Sequence, residues 1–249
     1  MPKPPMNDIR PLTEREDLKS VVRLQRQIWG FEDVDLIPLR LFVVASKIGG
    51  QVYGAFDGAQ MIGFCIAIPG LKPGGKTYLH SHMLGVLPEY RNTGVGRALK
   101  LTQRDDALRR GIDLIEWTFD PLEIKNAFFN MERLGAIVRR YTPNQYGTTS
   151  SPLHGGLPTD RCSAEWWISS ARVKTILAGQ PFERSTVEAR IAIPSDIANI
   201  RAKEPLCARE IQQKASEQFR AAFDLGLAVI GFEKSEQFGT YLLGKWESA

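Results

Sequence analysis

Residues 86–99 read Val86-Leu87-Pro88-Glu89-Tyr90-Arg91-Asn92-Thr93-Gly94-Val95-Gly96-Arg97-Ala98-Leu99. The stretch follows an alternating run over 77–87, which is typical of a β-strand. Gly94 then opens an amphipathic helix that runs through Arg110. Two glycines between a strand and a helix let backbone N–H groups surround an anion, and the helix dipole favours its negative charge. The sequence therefore predicts a phosphate-binding turn, with a plain turn as the alternative.

The same residues resemble the acetyl-coenzyme A signature of the GNAT acyltransferases, Arg/Gln-x-x-Gly-x-Gly/Ala after a strand ending in Val-x-Pro. The order of elements resembles that family over residues 9–170. The resemblance implies an α/β (α+β) GNAT fold, with a mixed, mostly antiparallel sheet flanked by helices, and an acyl-coenzyme A co-substrate. It implies that the backbone amides of residues 92–97 hold the pyrophosphate, that the main chain of 84–86 pairs with the pantetheine arm, and that an amide near Leu84 polarises the thioester carbonyl. The implied donor-binding residues are Leu84, Gly85, Val86, Arg91, Asn92, Thr93, Gly94, Val95, Gly96, Arg97 and Asn126.

Length and composition narrow the class of function. A chain of 249 residues that is 43% hydrophobic can bury a sizeable core in one large domain or two unequal ones. A net charge of +4 is too small to indicate a nucleic-acid partner. Three scattered cysteines suggest neither a disulfide framework nor a zinc site and favour a cytoplasmic location. No apolar run approaches the roughly 18 residues of a membrane span, so we expect no membrane partner, and no metal cluster is visible.

The pattern predicts two regions. Residues 8–170 form the catalytic domain, and residues 186–249 form a small C-terminal α/β subdomain after a linker at 171–185. The second region covers the acceptor site, extends the sheet or forms a homodimer, and the sequence leaves these three open. Residues 1–7 are interpreted as a mobile tail, and the loop over 142–161, rich in Gly, Pro, Ser and Thr, as a binding element or lid.

Four side chains are candidates for acid–base catalysis. The acceptor amine must lose a proton before it attacks, so a base with a pKa near neutral is expected. His80 and His82 are predicted to share a strand face with Leu84 and Val86, a spacing that resembles the arylalkylamine N-acetyltransferases. The further candidates, Glu116 and Asp120, lie on the next strand and at its carboxyl end. The alternatives are that the histidines are satisfied polar residues on a sheet face and that Asp120 only ends its strand.

The acid that would protonate the leaving thiolate is missing from its usual place. GNAT enzymes often use a tyrosine four residues before the glycine that ends the last helix of the domain, and here Gly135 places that position at Met131. Tyr141 and Tyr146 are the possible substitutes, with ordinary packing as the alternative for each. The thiolate can also leave without assistance.

The class of acceptor is predicted from the residue pair Asp160 and Arg161 and from a second family resemblance. Asp160 and Arg161 close the long loop and could hold the ammonium and carboxylate groups of an amino acid; a surface ion pair is the alternative. The chain also resembles a GNAT subgroup that carries Trp-Thr-Phe-Asp-Pro-Leu, here residues 117–122, and a trailing small domain. Some relatives are associated with N-acylation of amino acids, including succinylation. The resemblance therefore implies acetyl or succinyl transfer to a primary amine.

Two other functions compete with this one. Residues 70–77, Gly-Leu-Lys-Pro-Gly-Gly-Lys-Thr, satisfy the Walker A pattern of nucleotide-binding proteins. A P-loop must run into a helix, whereas Thr77 enters an alternating strand, so we interpret the segment as a hairpin connection. The missing tyrosine keeps a non-catalytic acyl-coenzyme A-binding protein as the second alternative.

Overall fold

The computed structural model describes residues 8–147 and 156–246. The predicted tail at 1–7 and the centre of the predicted loop over 142–161 lie outside these ranges. The chain forms two compact units, and it passes from the first to the second between Ile115 and Glu116. Within the described residues, no helix is both long enough and apolar enough to cross a bilayer.

The first unit is a four-stranded antiparallel sheet with three helices. The strands pair in the order β1-β2-β3-β4. The second helix begins at Leu39, after Pro38, because the residue before a proline is biased away from helical geometry. Its elements are β1 (Asp8–Pro11), α1 (Arg15–Trp29), α2 (Leu39–Lys47), β2 (Gln51–Asp57), β3 (Gln60–Leu71), β4 (Thr77–Val86) and α3 (Val95–Arg109).

Alternation along β3 supplies an apolar core to both faces of this sheet. Phe64 and Ile66 pack with the buried residues of α1 and α2. Cys65 points to the other face and packs with Val95 and Leu99 of α3. The segment at 72–76 joins β3 to β4, which confirms a hairpin connection in place of a P-loop.

A β-bulge at His82 changes which residues of β4 share a face. Met83 lies opposite Ile66 and Ser81 lies opposite its neighbour Ala67, so His82 is the extra residue. The prediction that His80, His82, Leu84 and Val86 share one face is therefore wrong. Ser81 contacts α3, and Leu84 and Val86 also pack on that side, three and five residues further on.

The second unit contains the remaining strands in the order β5-β7-β6-β9-β10-β8. A short α-helix at Ile124–Phe128 continues directly into a π-helical turn at Phe129–Arg133. Its elements are β5 (Leu114–Phe119, entered from the first unit), α4 (Ile124–Phe128), β6 (Ile137–Thr142), β7 (Arg161–Trp167), α5 (Ala171–Leu177), β8 (Ala189–Pro194), α6 (Ile197–Lys203), α7 (Pro205–Asp224), β9 (Leu227–Lys234) and β10 (Phe238–Lys245).

The expectation of a plain linker at 171–185 is wrong in its first half, which contains α5. Ser170 caps this helix by accepting a hydrogen bond from the Val173 amide at 3.3 Å. Arg172 is buried and donates to the carbonyl oxygens of Gly135 at 3.0 Å and Ile230 at 2.8 Å. The segment is too short to show helical periodicity in the sequence.

The strands after residue 186 continue the sheet of the second unit. Val229 of β9 pairs with Val138 of β6, and β10 joins β9 to β8. By its strand pairing, the region after residue 186 extends the sheet of the second unit, which was one of the three roles left open by the sequence. Its status as a separate subdomain at 186–249, and any homodimer, stay predictions.

Candidate active site

The predicted phosphate-binding turn has backbone geometry that depends on two residues. Asn92 has φ 64° and Gly94 has φ 99°, both in the left-handed region. Such angles are strained for most side chains, but glycine accepts them freely and asparagine better than most. The first backbone bond of α3 runs from the Ala98 amide to the Gly94 carbonyl at 2.9 Å. Because a helix leaves the N–H groups of its first turn without intrahelical partners, the turn presents donors and the positive end of the helix dipole together.

Side chains around the turn hold it in place. Thr93 Oγ1 donates to the Tyr90 carbonyl at 2.7 Å, and the Tyr90 hydroxyl donates to Asp57 at 2.9 Å. Arg91 donates to the carbonyl oxygens of Val86 at 3.4 Å and Ile28 at 3.3 Å. These bonds fix the connection between β4 and α3, so the backbone amides are preorganised for an anion.

Two positions near this end of β4 are glycine for different structural reasons. A Cβ on Gly85 would lie 2.6 Å from the Trp29 ring, so packing against α1 requires its absence. A Cβ on Gly96 would meet only ordinary contacts, 3.5 Å from Leu84 and 3.8 Å from Val86. The protein itself therefore does not require glycine at 96. A ligand that lies close to the backbone at this position explains the glycine.

The two histidines lie together on β4. Their ring centroids are 5.7 Å apart with planes tilted by 42°. The His82 side chain is exposed, and His80 is half-buried. Partial desolvation by the surrounding chain lowers the pKa of His82, so its imidazole is neutral at pH 7 and can accept a proton.

Between them, Ser81 belongs to a buried polar network that the sequence did not reveal. Lys100 Nζ donates to Ser81 Oγ at 2.8 Å, and that hydroxyl donates to Gln103 Oε1 at 2.9 Å. Burial lowers the pKa of Lys100 to about 7. The helical pattern had placed Lys100 on the solvated face of α3, which is wrong because its side chain is 4% exposed.

The other two catalytic candidates lie in the second unit and are ion-paired. Glu116 is buried and contacts Arg140 at 2.9 Å. Asp120 follows the carboxyl end of β5, where one oxygen accepts from the Leu122 amide at 2.8 Å and the other from Arg201 at 2.7 Å. A role as base for either residue stays a prediction.

Arg201 of α6 is a site residue that the sequence analysis missed. Its second terminal nitrogen donates to Glu123 at 3.1 Å. Burial first, and the nearby charge of Asp120 second, raise the pKa of Glu123. Arg161 of β7 belongs to the same cluster, because its charge interacts with Asp120 and Arg201. No local signal connects Arg201 with a carboxylate 81 residues earlier.

In the predicted pair, Arg161 Nη1 donates to the main-chain carbonyl oxygen of Asp160 at 3.0 Å, whereas the Asp160 carboxylate has other partners. Asp160 is buried, and its oxygens accept from the Tyr141 hydroxyl at 2.5 Å and the Asn144 amide at 2.8 Å. Arg161 instead lies 5.6 Å from the centre of the Tyr146 ring. The Tyr146 hydroxyl is 3.0 Å from Thr118 Oγ1.

The remaining predicted positions are placed as follows. Asn126 is exposed on α4. Met131, at the usual position of the acid, is fully buried and has no proton to give. Burial raises the pKa of Tyr141, which keeps the phenol protonated. Among the described residues, no group of three or more His, Cys, Asp or Glu side chains is arranged to hold a metal ion.

Comparisons with known proteins agree with this geometry. Residues 18–135 match the model of the acetyltransferase (GNAT) family. The chain is similar to the ribosomal-protein-S18-alanine N-acetyltransferase of Escherichia coli, with 20% identity and a TM-score of 0.52 over 67% of this chain and 96% of that one. It is similar to yncA of Salmonella typhimurium, solved with acetyl-CoA, with 16% identity and a TM-score of 0.53 over 66% and 95%. It is also similar to a type Ii aminoglycoside 6'-acetyltransferase, with 22% identity and a TM-score of 0.51 over 66% of this chain and 98% of that one. A search of curated proteins gives no match.

The fold is that of the GNAT acetyltransferases. Residues 18–135 give the chain a GNAT acetyltransferase domain, and with this domain it is a GNAT-type N-acyltransferase.

Proposed function

We propose that the enzyme transfers an acetyl or succinyl group from acyl-coenzyme A to the primary amine of a small acceptor that also carries a carboxylate, such as an amino acid. The observation that carries the proposal is the cluster of two carboxylates and two guanidinium groups in the second unit: Asp120, Glu123, Arg161 and Arg201. Opposite charges held close together are what a zwitterion needs at its two ends.

The donor is held by the first unit. Its pyrophosphate lies against the N-terminus of α3, bound by the amides of 92–97, and its pantetheine arm follows the main chain of residues 84–86. Gly96 supports this assignment, because a Cβ there would meet only ordinary contacts and the protein itself does not require glycine. A helix N-terminus with neighbouring backbone donors is a favourable place for phosphate.

The acceptor is held by the second unit. Arg161 binds the carboxylate, because its guanidinium lies near the exposed Tyr146 and carries the positive charge that attracts a carboxylate. Asp120 and the more exposed Glu123 hold the ammonium group. Asp160 had been predicted for that role, but it is buried and accepts from the Tyr141 hydroxyl and the Asn144 amide, so we assign it to orienting Tyr141 and the loop at residue 144.

The transfer is a direct displacement. His82, with His80 beside it, is the proposed base for the first proton that the acceptor ammonium loses. The amine nitrogen then attacks the thioester carbonyl, the C–N bond forms, the nitrogen loses its second proton to solvent, and the C–S bond breaks. Coenzyme A leaves as a thiolate and takes a proton from solvent, because Met131 cannot supply one.

One alternative keeps a specific observation in its favour. The apolar Met131 at the position of the usual acid is what a non-catalytic acyl-coenzyme A-binding protein would also have. Release of coenzyme A in the presence of amines distinguishes the two. The cytoplasmic location expected from the cysteines, and the absence of a metal, stay predictions.

The experiment is to measure thiol release from acetyl- and succinyl-coenzyme A with L- and D-amino acids and with their decarboxylated amines. We expect turnover with at least one amino acid and a much higher KM for its decarboxylated partner. Arg161→Gln should remove this preference, whereas Arg190→Gln, which breaks an exposed ion pair with Glu233, should keep it. Thiol release that ignores the carboxylate would refute the acceptor assignment, and tight donor binding without release would favour the binding protein.

A further inference from the structure

We propose that Arg201 is a positioning residue that fixes Asp120 and Glu123 at the distance from Arg161 that suits one acceptor length, so that α6 helps to determine acceptor selectivity. The inference rests on the proposed function. It adds a residue from the far end of the chain, and it assigns that residue to specificity and not to the chemical step.

The geometry of Arg201 is that of a clamp. One terminal nitrogen donates to Asp120 at 2.7 Å and the other to Glu123 at 3.1 Å. A planar guanidinium fixes the direction of both bonds, which a flexible ammonium does not. The side chain is only 6% exposed, so packing against the second unit holds the clamp itself in place.

The cluster also has a donor that the described protein atoms leave unused. The Nε atom of Arg201 is buried and has no hydrogen-bond partner there. Buried polar groups in folded proteins are almost always paired, so an arrangement selected for stability alone would have supplied an acceptor. The side chain is therefore placed so that its two terminal nitrogens reach Asp120 and Glu123, at a cost to the pairing of its Nε atom.

The charges explain why the clamp matters for binding an amine. Asp120 and Glu123 would repel each other if nothing lay between them. Arg201, with Arg161 and Lys125 nearby, compensates the two negative charges. The two carboxyl groups can therefore stay close together and attract the ammonium group of an acceptor. Tyr146 and Asp160 also face this cluster through Arg161.

A fixed separation between the carboxylates and Arg161 has a consequence for selectivity. An acceptor must bridge from its ammonium group to its carboxylate over that separation. An α-amino acid, a β-amino acid and a γ-amino acid differ in this distance by about one C–C bond at each step. The wild-type enzyme should therefore prefer one member of the series.

The test compares Arg201→Lys with Arg190→Lys as the matched control, since Arg190 forms an exposed ion pair with Glu233 in the same unit. Donor affinity is measured by calorimetry with coenzyme A, and kcat and KM are measured for α-, β- and γ-amino acids. Arg201→Lys should raise the KM of the preferred acceptor about tenfold and flatten the preference within the series. The kcat at saturating acceptor and the coenzyme A affinity should stay within about twofold.

A second variant keeps the proposal falsifiable if Arg201→Lys fails to fold. Glu123 is 42% exposed, so Glu123→Gln should fold, raise the acceptor KM and weaken the length preference. If both variants match the control, or if they lower kcat equally for every acceptor together with coenzyme A affinity, Arg201 has no positioning role. If the wild-type enzyme releases no thiol with any amine that carries a carboxylate, the proposed function fails and takes this inference with it.

Discussion

The donor turn and the acceptor cluster are built by opposite means. The turn at 91–97 presents backbone groups of adjacent residues, and its shape depends on left-handed φ angles at two of them. The cluster presents side chains from β5, α4, β7 and α6, and its tightest pair joins Asp120 to Arg201 across 81 residues. A backbone site is specified by a few neighbouring residues and should tolerate changes of side chain. A side-chain site requires the complete fold, and we expect it to lose function when one of its side chains is changed.

The largest effect is expected from Gly96→Asp. A side chain fits here without close contact to the protein, and a carboxylate near a helix N-terminus is favourable to the helix. The same carboxylate would fill the space of the pyrophosphate and repel its charge. We expect coenzyme A affinity to fall by about 1000-fold, or roughly 4 kcal/mol, with an unchanged or higher melting temperature.

The control for this variant is Gly75→Asp in the connection between β3 and β4, which belongs to the Walker-like segment at 70–77. A Cβ on Gly75 would meet no atom within 4 Å, but its φ of 84° strains any side chain, so this variant should lose stability and keep its coenzyme A affinity. Calorimetry with coenzyme A on both variants decides between the two glycine-rich turns. Loss of affinity in Gly75→Asp with retention in Gly96→Asp would overturn the donor assignment.

The second effect concerns a side chain in the first unit. His82→Ala removes the proposed base, and general base catalysis commonly contributes about 100-fold or more. The pKa of His82 lies below its usual value of 6.5. On the acid side of the pH profile, the kcat/KM of the wild-type enzyme should therefore decrease only below pH 6.5. The variant should lose most activity near neutral pH and less at alkaline pH, where the free amine forms without help. A parallel loss across the pH profile would argue against the role.

The third effect concerns stability. Burial lowers the pKa of Lys100 from 10.5 to about 7, so the charged lysine is less favourable in the folded state than in the unfolded state. This difference reduces the free energy of unfolding by its full amount below pH 7. The reduction disappears as the pH rises towards 10.5. Lys100→Met should therefore raise stability at pH 7 by about 1–2 kcal/mol and by less at pH 10.

Thermal melts at the two pH values check this, with the exposed Lys47→Met as control. A gain of 1–2 kcal/mol corresponds to a shift of roughly 2–8 °C for a chain of this size. An equal gain at both pH values would mean that Lys100 is not buried in its neutral form. A loss at pH 7 would mean that its bond to Ser81 outweighs the desolvation.

The same contrast explains how much could be predicted from the sequence. The strand, turn and helix at 77–109, the GNAT fold and the hairpin at 72–76 follow from glycines and alternation within about 30 residues, and they are confirmed in the structure. That the turn binds the donor stays a prediction. The bulge at His82 depends on how β4 pairs with β3, which alternation in one strand cannot show. Lys100 meets Ser81, and Arg201 meets Asp120, only in the folded chain. Errors therefore concentrate where one side chain depends on a distant one.

The smallest effect gives the sharpest test of the comparison. Asn92 has φ 64°, an angle that glycine adopts at least as easily, so Asn92→Gly keeps the shape of the turn and removes only the side chain. If the donor site consists of backbone groups, coenzyme A affinity should stay within about threefold, or roughly 0.7 kcal/mol. Asn92→Val, which is strained at this angle, should lose more affinity although it is similar in size to asparagine. The reverse order, with valine tolerated and glycine not, would show that the asparagine side chain itself binds the donor, and the distinction between a backbone site and a side-chain site would fail at its first residue.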